Sequence, residues 1–125
     1  MAGGGVLPGG VAMHEASLAG SVLLLVEEAA ARERFSRLRV LRLAAGQWAG
    51  VDVHALRFAL ESMAPGTLLE GAVIEIEEPP GQARCVDCGT TTSLGQRGDA
   101  CPACGGYWLQ PTSGTELKVL DMLVE

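Results

Sequence analysis

Hydrophobic residues recur at helical spacing in the first part of this chain. From residue 13 onward, Leu18, Val22, Leu25 and Ala29 fall on one side of a helix with 3.6 residues per turn. A glutamate stands near the start of this stretch and two arginines near its end, an order that suits the helix dipole. The pattern therefore predicts a helix over residues 15–33.

Three strands and a second helix follow from the remaining periodicities. Residues 36–45 alternate in part and predict a strand, and residues 70–78 alternate with period two and predict a half-buried strand. Between them, Asp52 can cap a helix whose apolar residues share one face, and Pro65 with the glycine after it ends that helix. An apolar strand pattern returns over residues 115–125.

The order of these elements predicts an α+β fold with an inserted module. Three strands forming a sheet, with both helices on one face, would bury both amphipathic helices. Residues 79–81 (PPG) break the chain sharply before the final strand. We therefore expect a disordered extension over 1–12, an α+β domain over 13–81 plus 113–125, and a protruding module over 82–112.

The net charge of the chain argues against some classes of binding partner. The 125 residues are 48% hydrophobic and carry a formal net charge of -6, and such a chain has no general attraction for nucleic acid or an anionic membrane. No signal peptide pattern and no apolar run long enough to span a bilayer is visible. We expect a cytoplasmic protein with reduced thiols and no nucleic-acid or membrane partner.

Four cysteines lie in two CxxCG motifs, Cys85-Val86-Asp87-Cys88-Gly89 and Cys101-Pro102-Ala103-Cys104-Gly105. Two residues between paired cysteines let both sulfurs face one point, and the glycine permits the turn that follows. Four converging thiolates predict a tetrahedral, structural Zn(II) site with no open coordination position for catalysis. A rubredoxin-like iron would use the same ligands. A thioredoxin-type redox pair would instead require a βαβ context that this segment lacks.

Only two histidines occur, and they differ in context. His54 falls within the second predicted helix and is expected to be a half-exposed helix residue. His14 precedes the first helix, where an imidazole and neighbouring backbone nitrogens could hold Ni(II) or Cu(II), although a plain residue at the start of a helix is the simpler interpretation.

Several motifs in a fixed order resemble the HypA/HybF family, whose members are nickel-insertion accessory proteins for nickel–iron hydrogenase. These motifs are Met13-His14-Glu15-x-Ser17-Leu18-Ala19, Gly46-Gln47-Trp48-Ala49-Gly50-Val51-Asp52, Ala55-Leu56-Arg57-Phe58-Ala59, Gly66-Thr67, Glu70-Gly71-Ala72, the two CxxCG motifs and Gly114-Thr115-Glu116-Leu117. The resemblance covers residues 13–125.

This resemblance implies a set of nickel-binding residues. His14 would be a nickel ligand, with backbone nitrogens contributed by Met13 and Glu15. The carboxylates of Glu15 and Asp52 would lie close by and orient or neutralise the site. It also implies two partners, a HypB-type GTPase and the large subunit of a nickel–iron hydrogenase as recipient.

Two features depart from the family pattern. The family often has glutamate at the position of Gln47, so no acid is assigned there. Twelve residues precede Met13, whose amine is a ligand in the family. Either translation starts at Met13, or an amide nitrogen or water replaces that amine.

The functional prediction is a nickel metallochaperone with a structural zinc, and not an enzyme. No set of nucleophile, base and acid is apparent, because the two histidines are far apart in sequence and no cysteine is left over. The alternative is a zinc-ribbon module that acts on nucleic acid or a transcription complex. Such a module usually displays more basic and aromatic residues than residues 82–112 contain.

Overall fold

The computed structural model describes residues 6–7, 14–95 and 98–125, with two helices and seven strands among them. In chain order these are β1 (Val6–Leu7), α1 (His14–Glu33), β2 (Leu38–Ala45), α2 (Val53–Met63), β3 (Val73–Glu77), β4 (Gln82–Cys85), β5 (Thr91–Ser93), β6 (Leu109–Ser113) and β7 (Leu117–Val124). The prediction of an α+β fold with two helices and a cysteine-bearing module is confirmed.

The larger sheet has the strand order β1-β7-β2-β3. Strands β2 and β3 are parallel and are joined through α2, whereas β7 returns antiparallel to β2 from the far side of the cysteine module. The three expected strands thus form the sheet, and β1 adds a fourth. Val6–Leu7 pair with Lys118 and Leu117 of β7 although they lie in the segment expected to be disordered. The other ten residues of that segment lie outside the described residues.

Both helices pack on one face of this sheet. Leu41 and Leu43 of β2 are 0% exposed and share one core cluster with buried residues of the other elements. These are Leu18, Val22, Leu25 and Val26 of α1, Leu56 and Leu60 of α2, Ile74 of β3, and Leu117 and Val119 of β7. Arg42 alternates to the opposite face, where it forms ion pairs with Glu77 at 2.7 Å and Asp121 at 3.0 Å.

The ends of α2 follow from its sequence. Asp52 has extended backbone angles, and its side chain accepts a hydrogen bond from the amide of Ala55, as an N-cap residue does. The helix stops at Met63, two residues before the proline that was expected to end it.

The cysteine module, defined here as residues 82–112, contains a second antiparallel sheet of order β5-β4-β6. These strands were not predicted. They are only three to five residues long and most of their side chains are exposed, so the one alternation among them, in the four residues of β4, is too short to signal a strand. The module's buried residues are Ala83 and Cys85 of β4, the nearby Leu94, and Cys101.

Helix α1 is the longest helix of the described residues and carries glutamates and an arginine along its length. Among the described residues, no helix combines the length and the apolar character needed to cross a membrane.

Candidate metal centres

The two CxxCG motifs fold into matching turns. After Cys85, which ends β4, the amide of Gly89 donates to the Cys85 carbonyl at 2.8 Å. In the second motif, the amide of Gly105 donates to the Cys101 carbonyl at 2.7 Å. Both glycines have positive φ angles, 77° and 78°, which glycine adopts without steric cost. The glycine after each cysteine pair therefore closes a turn that presents two sulfurs to one point.

The four sulfurs converge on that point. All four lie within 4.8 Å of one another. The Cys85 and Cys104 sulfurs are 3.6 Å apart, and those of Cys88 and Cys101 are 3.7 Å apart. A tetrahedral zinc with Zn–S bonds of about 2.3 Å has sulfurs about 3.8 Å apart, so these distances fit such an ion.

The two cysteines of each CxxCG motif differ in their burial. Cys85 and Cys101, the first cysteine of each pair, are 0% and 2% exposed, whereas Cys88 and Cys104 are exposed. One side of the site therefore forms part of the interior of the module, and the other side reaches the surface.

Hydrogen bonds distinguish the two exposed thiols. The Thr90 hydroxyl lies 3.3 Å from the Cys88 sulfur, and this hydrogen bond, followed by one from the Thr90 amide, lowers the pKa of Cys88 to about 6. At Cys104 the Gly106 amide also favours the thiolate. Hydrogen bonds with Cys85 and the other cysteines, together with desolvation, outweigh it and raise the Cys104 pKa to about 12. Protons shared among the clustered thiols are displaced when a metal binds thiolates.

The second candidate centre lies at the start of α1. His14 is the first residue of the helix, and Glu15 is only 2% exposed. One Glu15 carboxylate oxygen, Oε2, accepts the backbone amide of Asp52 at 3.0 Å. Within the described residues, His14 Nδ1 and Glu15 Oε1 are buried without a hydrogen-bond partner. A buried imidazole nitrogen and a buried carboxylate oxygen without partners are donors suited to a divalent cation.

The structure does not bring every predicted nickel residue together. Among the described residues, one group of three or more His, Cys, Asp or Glu side chains brings its ligand atoms within 4.8 Å of one another. This group is the four cysteines. His54 is exposed on α2, and Asp52 reaches Glu15 through its backbone amide while its side chain caps α2. Met13 lies outside the described residues. A nickel ion at His14 would therefore draw on backbone nitrogens more than on a cluster of side chains.

No pattern in the sequence indicates that the loop between β2 and α2 contacts both candidate centres. Gln47 and Trp48 of this loop contact the cysteine module, and Asp52 at its end contacts Glu15. From the sequence, Gln47 was noted as a departure from the family pattern, and Trp48 only as part of a motif. The one local signal of a close tertiary contact was Trp48 in a short loop between Gly46 and Gly50.

Comparisons with known proteins agree on one family. Residues 13–124 match the family described as "Hydrogenase/urease nickel incorporation, metallochaperone, hypA". The chain is 64% identical over 113 residues to the hydrogenase maturation factor HypA of Cupriavidus necator, covering 90% of this chain and 95% of that protein. It is 47% identical over 113 residues to the factor of the same name from Azotobacter chroococcum, with coverage of 90% and 100%.

Solved structures show the same fold. The solution structure of the nickel metallochaperone HypA from Helicobacter pylori superposes with a TM-score of 0.65 at 20% identity, covering 88% of this chain and 96% of that one. A second solution structure, of a HypA protein, gives a TM-score of 0.68 at 22% identity, with coverage of 90% and 97%.

Proposed function

Because this chain belongs to the HypA family of nickel-incorporation metallochaperones, we propose that it binds Ni(II) around His14 and passes it to a nickel–iron hydrogenase. It is a nickel metallochaperone of hydrogenase maturation and not an enzyme. The family match spans nearly the whole α+β body as well as the cysteine module, which a free-standing zinc ribbon acting on nucleic acid would not require.

We propose that Cys85, Cys88, Cys101 and Cys104 hold a structural Zn(II). The sulfur separations fit a tetrahedral ion of this size, and four thiolates leave no position for a substrate. The module buries few apolar side chains of its own, so bound metal would supply much of its folding free energy, as in other small zinc modules. The protein thus consists of a nickel-binding domain (13–81 plus 113–125) and a zinc-binding domain (82–112).

The nickel assignment rests on the buried, unpartnered His14 Nδ1 and Glu15 Oε1 at the residues where the family match begins. The imidazole of His14 would bind the ion, with backbone nitrogens of Met13 and Glu15 completing a nitrogen-rich set that suits Ni(II). The carboxylates of Glu15 and Asp52 would offset the ionic charge and orient the ligands. Nickel is cargo, so this site must release the ion as well as bind it.

Two protein partners and a cellular location complete the proposal. We propose a HypB-type GTPase as co-chaperone and the hydrogenase large subunit as recipient, both acting beside His14, where ligand exchange must occur. A cytoplasmic location is proposed with them, since four reduced thiolates require a reducing compartment.

A pair of histidine variants tests the nickel assignment. His14→Ala should abolish high-affinity nickel binding and leave zinc content and helical circular dichroism unchanged, since a residue at a helix start carries little packing energy. His54→Ala, which removes the exposed second histidine, is the matched control and should bind nickel like the wild type. Full nickel affinity in the His14 variant would refute the assignment.

The form of the chain begun at Met13 provides a further test. Its free amine, with a pKa of about 7.7–8.0, becomes a nickel ligand near neutral pH far more readily than a peptide nitrogen. We expect this form to bind nickel more tightly than the form begun at Met1 and to give a square-planar, diamagnetic spectrum. Equal affinities and spectra would show that the amine plays no part.

A further inference from the structure

Strand β1 lies outside the family match and yet extends the larger sheet. Its two residues, Val6–Leu7, pair antiparallel with Lys118 and Leu117 of β7. The family match begins at residue 13, and the Azotobacter chroococcum factor is matched over 100% of its length by 90% of this chain. Without β1, the order β7-β2-β3 leaves β7 as an edge strand. In this chain a short apolar segment from a distant part of the sequence occupies that edge.

The backbone of β7 directs hydrogen-bonding groups to this edge. Glu116, the residue before β7, turns its carbonyl to the β2 side, where it accepts the amide of Gly46 at 3.0 Å. Successive residues of a strand alternate in this respect, so the N–H and C=O groups of Leu117 point to the β1 side. The register places Leu7 opposite Leu117. An unfilled edge would leave these two groups of Leu117 open to another strand.

The side chains of β7 determine what a strand at this edge must carry. Leu117 is 0% exposed and belongs to the core cluster, whereas the Lys118 side chain is 50% exposed. Residues that oppose each other in an antiparallel pair share a face, so the residue opposite Leu117 must be apolar. On the outer face, Lys118, Leu120, Ala44 and Pro79 line a cavity of about 370 Å³ together with residues 112–116. This cavity can receive a side chain from the residue opposite Lys118.

A bulge limits the length of this edge. The register of β7 against β2 shifts between Val119 and Asp121, so Leu120 has no partner on β2. Because a bulge bends its strand, an added strand can pair regularly only with residues 117–119. The edge therefore fits a segment of two or three residues, the length that β1 has.

We propose that residues 117–119, with the cavity beside them, are a docking site for an extended apolar segment of a second protein. This segment would run antiparallel to β7 and place a leucine or a similar residue opposite Leu117. Strand β1 fills the site within the same chain, so the full chain keeps it closed and the form begun at Met13 leaves it open. The site includes none of the metal ligands and does not depend on the proposed nickel site.

The affinity of the site follows from its occupation by β1. Six residues join Leu7 to His14, and a short linker of this kind gives an effective concentration of about a few millimolar. A segment that fills its site most of the time at that concentration has a Kd of about 1 mM or less as a free peptide. If β1 occupies about nine-tenths of the sites in the full chain, a free peptide binds to that chain about 10-fold more weakly.

Titration with a synthetic peptide of residues 3–10 tests the proposal, with the nuclear magnetic resonance signals of residues 117–119 as the readout. The form begun at Met13 should bind the peptide with a Kd of about 1 mM or less. Its Leu117 amide should exchange with solvent faster than in the full chain, and the peptide should slow that exchange. The full chain should bind about 10-fold more weakly. A peptide carrying Leu7→Asp should not bind.

Variants of the full chain provide the second arm. Leu7→Asp should release the site and bind the peptide like the form begun at Met13, and it carries the test if that shorter form does not fold. Val11→Asp, a change of the same kind outside β1, is the matched control and should behave like the wild type.

Three results would overturn the proposal. One is unchanged signals of residues 117–119 in the form begun at Met13 and in Leu7→Asp at about 5 mM peptide, above the expected Kd. Another is equal affinity of the full chain and the form begun at Met13. The third is self-association of the shorter form through residues 117–119 without peptide binding, which would assign this edge to a second copy of the chain.

Discussion

Asp52 serves α2 and the proposed nickel site through different chemical properties, so substitutions can separate its two roles. As N-cap, its Oδ1 accepts the Ala55 amide at 3.1 Å, which requires an acceptor but no charge. Toward nickel, the proposed contribution is its negative charge. The backbone amide that binds Glu15 is unaffected by any substitution other than proline.

The expected magnitudes follow from this division. Asp52→Ala loses the cap and should lower the free energy of unfolding by about 1 kcal/mol. Asp52→Asn keeps an acceptor and loses only an exposed charge near the helix N-terminus, at a cost of about 0.5 kcal/mol or less. Both variants lose the charge, so both should weaken nickel binding by a similar factor, about 10-fold, less than His14→Ala.

Urea unfolding followed by far-ultraviolet circular dichroism measures the first quantity, and nickel titration of the folded protein measures the second. Asp52→Ser, which caps without charge, is the control and should resemble the asparagine variant in both assays. If alanine costs no more stability than asparagine, the capping argument is wrong. If asparagine binds nickel like the wild type, the charge of Asp52 has no part in the site.

Three further predictions concern the cysteine module and Gly81, the residue just before it. Cys88→Ser should strip the metal and make the module protease-sensitive while both helices survive, and a metal-free module that stays protease-resistant would contradict the structural role. A Cβ on Gly81 would overlap Trp48, so Gly81→Ala should destabilise the protein by about 1–3 kcal/mol. The control Gly20→Ala, in an open position on α1, should stabilise it by about 0.5–1 kcal/mol. Chemical unfolding measures both free energies. In metal-free protein, Thr90→Val should raise the Cys88 pKa from about 6 toward its ordinary value. Alkylation of Cys88, followed by peptide mass spectrometry, should then slow near neutral pH, and the pH midpoint of the alkylation rate should move upward. An unchanged midpoint would show that the Thr90 hydroxyl does not lower this pKa.

The elements that the sequence predicted correctly are those whose signals are local. The alternation over residues 70–78 predicted a half-buried strand, and in β3 Ile74 is buried while Val73 is exposed. Asp52 was expected to cap α2 and does. Helical spacing in α1 gave its bounds to within one residue, because an amphipathic helix repeats its signal over many turns.

What the sequence did not reveal depends on contacts between distant residues. Strands β4, β5 and β6 are at most five residues long, too short for a periodic signal, and their pairing joins segments that lie apart in the sequence. The side-chain amide of Gln47 forms hydrogen bonds with residues 34 and 48 positions away, and nothing near Gln47 in the sequence indicates either contact. The bond between Glu15 and the Asp52 amide spans 37 positions in the same way.

X-ray absorption at the nickel edge, on protein loaded with one zinc and one nickel, tests the central claim most directly. The claim is that nickel and zinc occupy separate sites of different chemistry, nickel on nitrogen and oxygen donors around His14 and zinc on the four thiolates. We predict nickel scattering from nitrogen and oxygen alone, with an imidazole contribution that disappears in His14→Ala, and a zinc edge that reports four sulfurs in both proteins. Sulfur donors on nickel, or an unchanged nickel spectrum in His14→Ala, would contradict the account.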